Sequence, residues 1–244
     1  SVAGAVFEYS AACGALFAAG GTRPRCLHAW DLARETCIQQ VALEPWGRTG
    51  ASWSDASPRG GAAVVERLAS VREEPVLAVG CVDGSVQLLD LRCPGSPVAG
   101  FRDARAPGAR LSGLAMGLGA DGRQMVTACS GGSLKFWDIR SAGGPGLVRA
   151  VEAHSGGSGL TCLAAHPAAP LLATGTKTHT VKVWNAYGDL VGAIRAAGGF
   201  LGSGKGGAIS CLAFHPLELK LAAGGDTSVI ALYTIDATAG RLSH

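Results

Sequence analysis

Four times in this 244-residue chain a small residue is followed, nine positions later, by a bulky residue that closes an apolar run: Gly80 by Leu89, Ala128 by Trp137, Gly175 by Trp184 and Gly224 by Tyr233. A fifth copy, Gly20 to Trp30, is one residue longer, and its turn reads as Thr22-Arg23-Pro24-Arg25. The anchors at 30, 89, 137, 184 and 233 stand 59, 48, 47 and 49 residues apart. Equal internal spacings at a near-constant period mark a repeat architecture. Each copy has a further apolar segment upstream, such as 160–165, and another downstream, such as 190–194. No window of helical length keeps a helical period, and Gly or Pro interrupts nearly every candidate. Each unit therefore reads as four short strands joined by Gly, Asp and Pro turns. One such sheet cannot bury both faces, whereas sheets stacked around an axis can. The expected fold is an all-β propeller with five recognisable four-stranded blades. They fall at 1–43, 61–103, 110–152, 158–196 and 207–243, with an insertion at 44–60 that accounts for the one long interval.

These units resemble WD repeats. Trp30-Asp31 and Trp137-Asp138 keep the dipeptide that names the repeat, Trp184-Asn185 softens it, Leu89-Asp90 keeps the acid, and Tyr233-Thr234 keeps an aromatic. The resemblance implies a set of structural anchors: Trp30, Asp31, Asp90, Trp137, Asp138, His154, Trp184 and Tyr233. It also implies hydrogen bonds that join His154, Thr174 and Trp184 inside one blade. Thr178 holds the position of the turn aspartate there, so an incomplete network and a less rigid propeller are expected. WD propellers usually carry seven blades. The absence of an initiator Met and the abrupt start in a strand favour a chain lacking about two N-terminal blades over a ring closed with five. By that reading the chain is the C-terminal part of a seven-bladed propeller.

Composition narrows the function. With 48% hydrophobic and 16% charged residues, the chain is not disordered. A net charge of +3 without a basic stripe does not fit nucleic-acid binding. No uncharged apolar run reaches membrane-spanning length, so membrane insertion is not expected. The eight cysteines form no C-x-x-C pair and no zinc spacing. They read as reduced, buried apolar fillers, which suits the cytosol or a cytosolic membrane face.

No segment carries recognisable chemistry. The run 199–205 fits G-x-x-x-x-G-K, but Gly206 stands where a phosphate loop needs Ser or Thr, and a strand-like run follows instead of a helix. His166 and His215 precede Pro at equivalent positions and read as turn residues. No Ser sits in a G-x-S-x-G elbow, and Glu73-Glu74 reads as a solvated turn. No catalytic residue, cofactor or metal is expected. The candidate contact residues are Trp46 and Trp53 in the insertion and Phe200, Leu201 and Lys205 in the glycine-rich loop. Arg102, Arg105 and Arg110 form a modest basic cluster that reads as solvated.

One resemblance is more specific. The run Gly199-Phe200-Leu201-Gly202, a short spacer, then Gly207-Ala208-Ile209-Ser210-Cys211-Leu212-Ala213-Phe214-His215-Pro216 is similar to the last blade boundary of the Raptor family. The preceding unit fits too, through Leu163-Ala164-Ala165-His166-Pro167, Leu172-Ala173-Thr174-Gly175-Thr176 and Tyr187-Gly188-Asp189-Leu190, as does the closing strand Ile230-Ala231-Leu232-Tyr233. The chain departs at the Trp46/Trp53 insertion and at Ala196-Ala197. What the resemblance implies is a non-catalytic adaptor of TOR complex 1. Such a protein helps present substrates to the TOR kinase, and its partners are TOR kinase complex subunits, substrates or regulators. The family's substrate-docking part lies outside a propeller. A cytoplasmic location, with recruitment to the cytosolic face of lysosome or vacuole, goes with it. The alternative is another WD scaffold, such as a ubiquitin-ligase substrate receptor or a trafficking subunit.

Overall fold

The computed structural model describes residues 5–20, 23–43, 64–92, 97–103, 108–119, 121–140, 144–155, 159–195, 207–226, 229–236 and 241–243. Among these, twenty strands form five four-stranded antiparallel sheets, each a meander of consecutive strands. Repeated meanders packed face to face are the blades of a WD40-type β-propeller.

The chain divides into two compact units, Ser1–Leu111 with Arg140–Pro145, and Ser112–Ile139 with Gly146–His244. The first unit holds sheet one, made of β1 (Val6–Ser10), β2 (Ala15–Gly20), β3 (Arg23–Asp31) and β4 (Thr36–Ala42). It also holds sheet two, made of β5 (Val65–Ser70), β6 (Val76–Cys81), β7 (Ser85–Asp90) and β8 (Ala99–Arg102). The second unit holds sheet three, of β9 (Leu111–Leu118), β10 (Gln124–Cys129), β11 (Ser133–Asp138) and β12 (Gly146–Glu152). Sheet four has β13 (Leu160–Ala165), β14 (Leu171–Thr176), β15 (Thr180–Asn185) and β16 (Leu190–Arg195). Sheet five has β17 (Ile209–Phe214), β18 (Lys220–Gly225), β19 (Ile230–Asp236) and β20 (Arg241–Ser243).

One cross-strand pair recurs in every sheet: Leu16 opposite Trp30, Leu77 opposite Leu89, Met125 opposite Trp137, Leu172 opposite Trp184, and Leu221 opposite Tyr233. The spacing read from the sequence is thus a register, because strand residues two apart share a face. This row defines an anchor face and an opposite face on each sheet. Sheet one corrects the expected count. Ala19 pairs with Leu27 where Gly175 pairs with Val181, so the first turn is two residues longer than the others, not one. Arg23, Pro24 and Arg25 belong to β3 and not to that turn. A bulge precedes the tryptophan in the pairing of third and fourth strands at Ala29/Trp30, Phe136/Trp137 and Val183/Trp184.

The cores lie between sheets, and each joins an anchor face to an opposite face. In the first unit, Leu77, Val79 and Leu89 of sheet two cover Phe17, Leu27 and Ala29 of sheet one. In the second, Leu172 and Trp184 cover Val126, Leu134 and Phe136, and Leu221, Ala223 and Tyr233 cover Ala173, Val181 and Val183. Each fully buried aliphatic or aromatic side chain there contributes about 1.5–3 kcal/mol. Burial on both faces explains why β6 reads Val-Leu-Ala-Val-Gly-Cys without polar alternation. Gly175 sits at a close approach of sheets four and five. A Cβ there would lie 2.6 Å from Ile209 Cγ2 and 2.7 Å from Cys162 Sγ.

Candidate functional site

The residues expected to lock a blade come together in sheet four. His154 follows β12, Thr174 lies on β14 and Trp184 on β15. The Trp184 indole donates to Thr174 Oγ1 at 3.0 Å, and His154 Nε2 stands 2.9 Å from the same oxygen. Thr174 Oγ1 can donate its own hydrogen bond to the Lys182 carbonyl at 3.4 Å, which leaves its lone pairs to accept from both rings. Lys182 Nζ donates to the Ala153 carbonyl at 2.7 Å and lies 5.7 Å from the Trp184 ring centroid. Thr178 supplies no carboxylate. Its hydroxyl meets Thr176 Oγ1 at 3.2 Å, and Thr176 Oγ1 accepts from the Thr180 amide.

Burial, and secondarily the Lys182 charge, hold the His154 imidazole down to about 4, so it is neutral at pH 7. An unfolded histidine takes up a proton below about pH 6.5. The folded state therefore binds fewer protons between about 6.5 and 4, and stability falls as pH drops through that window. The expected loss is on the order of 2–3 kcal/mol. Denaturation midpoints of the wild type and of His154→Gln at pH 7 and 4.5 check this. The variant should lose most of the pH slope, and an unchanged slope would remove His154 as its source.

The same lock is partly reused elsewhere. Trp137 donates to Thr127 Oγ1 at 3.0 Å in sheet three. Sheet two replaces the pair with Val79 and Leu89, sheet five with Ala223 and Tyr233, and sheet one with Ala18 and Trp30. Tyr233 is buried, but Trp30 is 39% exposed. The acids that follow the anchors cap the next turn. Asp31 Oδ1 accepts from the Ala33 and Arg34 amides, Asp90 Oδ1 accepts from the Arg92 amide, and Asn185 Oδ1 accepts from Tyr187 and Asp189. Hydrogen bonds from the Arg92 side chain and amide hold the Asp90 carboxyl at about 2. Asp138 ends β11 half-buried.

Two side chains that sequence reasoning missed tie first strands together. Both sit at bulges, Glu66 between Val65 and Arg67, and Thr161 between Leu160 and Cys162. Glu66 is buried and accepts from the Leu111 amide at 2.7 Å and from Arg110 Nε at 2.8 Å. Thr161 Oγ1 donates to the Ile209 carbonyl. Leu111 and Ile209 each begin the first strand of the following sheet. Arg110 is thus ion-paired and not merely solvated. Glu66→Ala should cost about 1–3 kcal/mol, because it strips the buried Leu111 amide of its acceptor. Glu66→Gln, which keeps an acceptor oxygen, should cost less. Urea denaturation of both variants reads the difference.

The remaining expected residues are placed as follows. His166 and His215 do cap their turns. Nδ1 of His166 accepts from the Ala168 and Ala169 amides, and Nδ1 of His215 accepts from Leu217 and Glu218. The element that follows the G-x-x-x-x-G-K run is the strand β17, where a phosphate loop would lead into a helix. Cys81, Cys129 and Cys162 are buried, but Cys13 and Cys211 are exposed, which corrects the reading of all cysteines as fillers. Trp46, Trp53, Phe200, Leu201, Lys205, Arg105 and Ala196-Ala197 lie outside the described residues. Among the described residues no cluster of three or more His, Cys, Asp or Glu could hold a metal ion, and no helix is long and apolar enough to cross a membrane.

The WD domain, G-beta repeat family matches residues 146–185, which contain the His154–Thr174–Trp184 lock. A curated relative, "Regulatory-associated protein of TOR 1" of Arabidopsis thaliana, is 33% identical over 81% of this chain and 13% of its own length. "Target of rapamycin complex 1 subunit mip1" of Schizosaccharomyces pombe is 26% identical over 79% of this chain and 13% of its own length. The chain thus spans about an eighth of these relatives. Among solved structures, Chaetomium thermophilum Raptor matches with a TM-score of 0.73 at 21% identity, covering 96% of this chain and 19% of that one. A chain of the mitotic checkpoint complex matches at 0.70 and 18% identity, over 97% of this chain and 62% of that one. The two structural matches establish the propeller fold. The repeated anchors, the lock and the curated relatives together make this chain a WD40 propeller segment of the Raptor family, the regulatory-associated proteins of TOR.

Proposed function

We propose that the chain is the non-catalytic propeller of a TOR complex 1 subunit, a scaffold that helps present substrates to the TOR kinase. The observation that carries this reading is the similarity over most of the chain to relatives named as TOR complex 1 subunits and regulatory-associated proteins of TOR. The site chemistry agrees with it. The buried polar side chains at the lock and the latches are engaged in holding sheets together, and His154 is kept neutral by its surroundings. The partners are then TOR kinase complex subunits, substrates or regulators, met in the cytoplasm or at the cytosolic face of lysosome or vacuole. The Trp46/Trp53 insertion and the Phe200-Leu201/Lys205 loop are the proposed contacts. The mitotic checkpoint likeness, at 18% identity, supports the fold alone and favours no second reading.

Affinity purification of the native gene product, with its mass measured and its companions identified, tests the proposal. Recovery with a TOR-type kinase supports it. Recovery with ubiquitin-ligase or coat subunits and no kinase would replace it. If alanine and glycine replacements in both loops leave complex assembly unchanged, the loops are not the contacts.

A further inference from the structure

The outer end of the seam between sheets three and four carries a fixed arginine that neither the lock nor the latches use. Arg149 lies on β12 opposite Phe136, on the face that sheet four covers. Its Nη1 donates to the Tyr187 carbonyl at 2.7 Å and to Asp189 Oδ1 at 3.0 Å, both in the turn between β15 and β16. The receiving turn is braced from within. Asn185 Oδ1 accepts from the Tyr187 and Asp189 amides, and the Gly188 amide donates to the Asn185 carbonyl at 3.0 Å. Gly188 has φ +82°, and a Cβ there would lie 2.9 Å from Phe136 Cε2. The guanidinium is thus held at one nitrogen against a packed turn, although 47% of the side chain is exposed.

Two features set this group apart from an ordinary surface ion pair. The first is unequal satisfaction. Asp189 Oδ1 accepts from Arg149 and Oδ2 accepts from the Asn185 side-chain amide at 3.2 Å, and the hydrogen bonds from Asn185 and Arg149 hold the carboxyl below its usual range. Arg149 Nε and Nη2 have no partner among the described residues, and together they form an edge that takes a carboxylate in two parallel hydrogen bonds. The second feature is the surroundings. Val148, which the β12 bulge leaves unpaired, is 62% exposed, Tyr187 is 69% and Leu190 is 51% exposed. Leu190 pairs with Trp184 and so shares the face turned toward sheet three. Tyrosine and arginine are the side chains enriched where protein interfaces concentrate their binding energy. The arginine is particular to this seam, since the equivalent positions are Gln39 in sheet one and Gly192 in sheet four. Arg149, Tyr187 and Leu190 belong to a seam that has both its sheets, so their exposure is that of a finished seam.

We propose that Val148, Arg149, Tyr187 and Leu190 form a docking site for a short segment of a partner protein that carries an Asp or Glu beside apolar side chains. The carboxylate takes the open Nε–Nη2 edge, and the apolar neighbours cover Tyr187 and Leu190. Charge selects this class of segment. A basic one would be repelled by Arg149 and would find both Asp189 oxygens already bonded. A purely apolar one would strip water from the guanidinium and give it nothing in return. Because the turn and the arginine are fixed beforehand, little ordering cost falls on this side of the contact. The site is separate from the two loops proposed above and does not depend on them.

The test pans short random displayed peptides on the complete 244-residue chain, after depletion on the Tyr187→Ser variant, which alters only an exposed side chain. The peptides that remain should share an Asp or Glu next to apolar residues. The dominant one is then synthesised as selected and with its acids replaced by amides, and binding is read by fluorescence anisotropy. Arg149→Gln should weaken binding at least about tenfold, and the amide peptide should lose as much on the wild type. Gln39→Ala, at the equivalent position of sheet one, should change nothing. Unchanged near-ultraviolet dichroism confirms that the variants fold, and the amide peptide tests the charge with no protein variant at all. No peptide left after depletion, recovery of basic or uncharged peptides, or an affinity that survives Arg149→Gln overturns the proposal. So does self-association of the chain that Tyr187→Ser abolishes, which would make a second copy the occupant.

Discussion

Trp184→Ala is expected to destabilise the second unit by about 3–5 kcal/mol, a large fraction of the roughly 5–15 kcal/mol that holds a typical domain folded. The indole fills the seam beside Leu134, Phe136 and Leu172, so its loss leaves a cavity with buried walls on both sides. Thr174 Oγ1 loses its donor at 3.0 Å, and His154 keeps a partner that is no longer fixed from the other side. Trp30→Ala, the same change at the equivalent position of sheet one, should cost well under half as much, because Trp30 is 39% exposed where Trp184 is 4% exposed. Urea titration followed by far-ultraviolet dichroism reads both. Equal losses would mean that the anchors act through strand propensity and not through the seam.

Gly132→Ala should be nearly as damaging, at about 3 kcal/mol or more. Its φ is +105°, and a Cβ would sit 2.0 Å from the His154 carbonyl oxygen. That carbonyl cannot retreat freely, since the His154 and Ala153 amides both donate to the Gly132 oxygen, at 3.1 and 2.9 Å. Two controls divide the cause. Gly14 has φ +65° with nothing within 4 Å of a Cβ, so Gly14→Ala should cost only the backbone strain, about 1 kcal/mol. Gly131 has open space and no positive φ, so Gly131→Ala should be close to neutral. Thermal denaturation that ranked the three otherwise would show that the turn yields more readily than this geometry allows.

Much of the fold was legible because the repeat carries its own register. The nine-residue spacing from Gly175 to Trp184 is a hairpin whose strands pair at Leu172 and Trp184, and the same pairing recurs in the other three copies that keep the spacing. Sheet one was misjudged by one residue because its turn was counted from Gly20, whereas the aligned position is Ala19 and Gly20 lies beyond a register shift. The lock was legible for a similar reason, since Thr174 and Trp184 sit on neighbouring strands in one blade. Glu66 and Thr161 were not, because a bulge turns each of them out of the alternation that sequence reasoning follows. Burial was legible only as a tendency. Trp30 and Trp184 are indistinguishable as residues, and what separates them is whether another sheet lies over the face. The exposure of Cys211 against the burial of Cys162, in near-identical strands, has the same origin.

The bulge latches also bear on how the molecule loosens. Thr161 reaches sheet five from the first strand of sheet four, while the fourth strand of that sheet, β16, keeps no side chain fully buried. Sheet four is therefore riveted along one margin and looser along the other. Thermal opening should start at the looser margin, with amide exchange slowing from β16 to β13. The outer strands can part and re-pair while the riveted margin stays closed, so a blade breathes like a page in a binding.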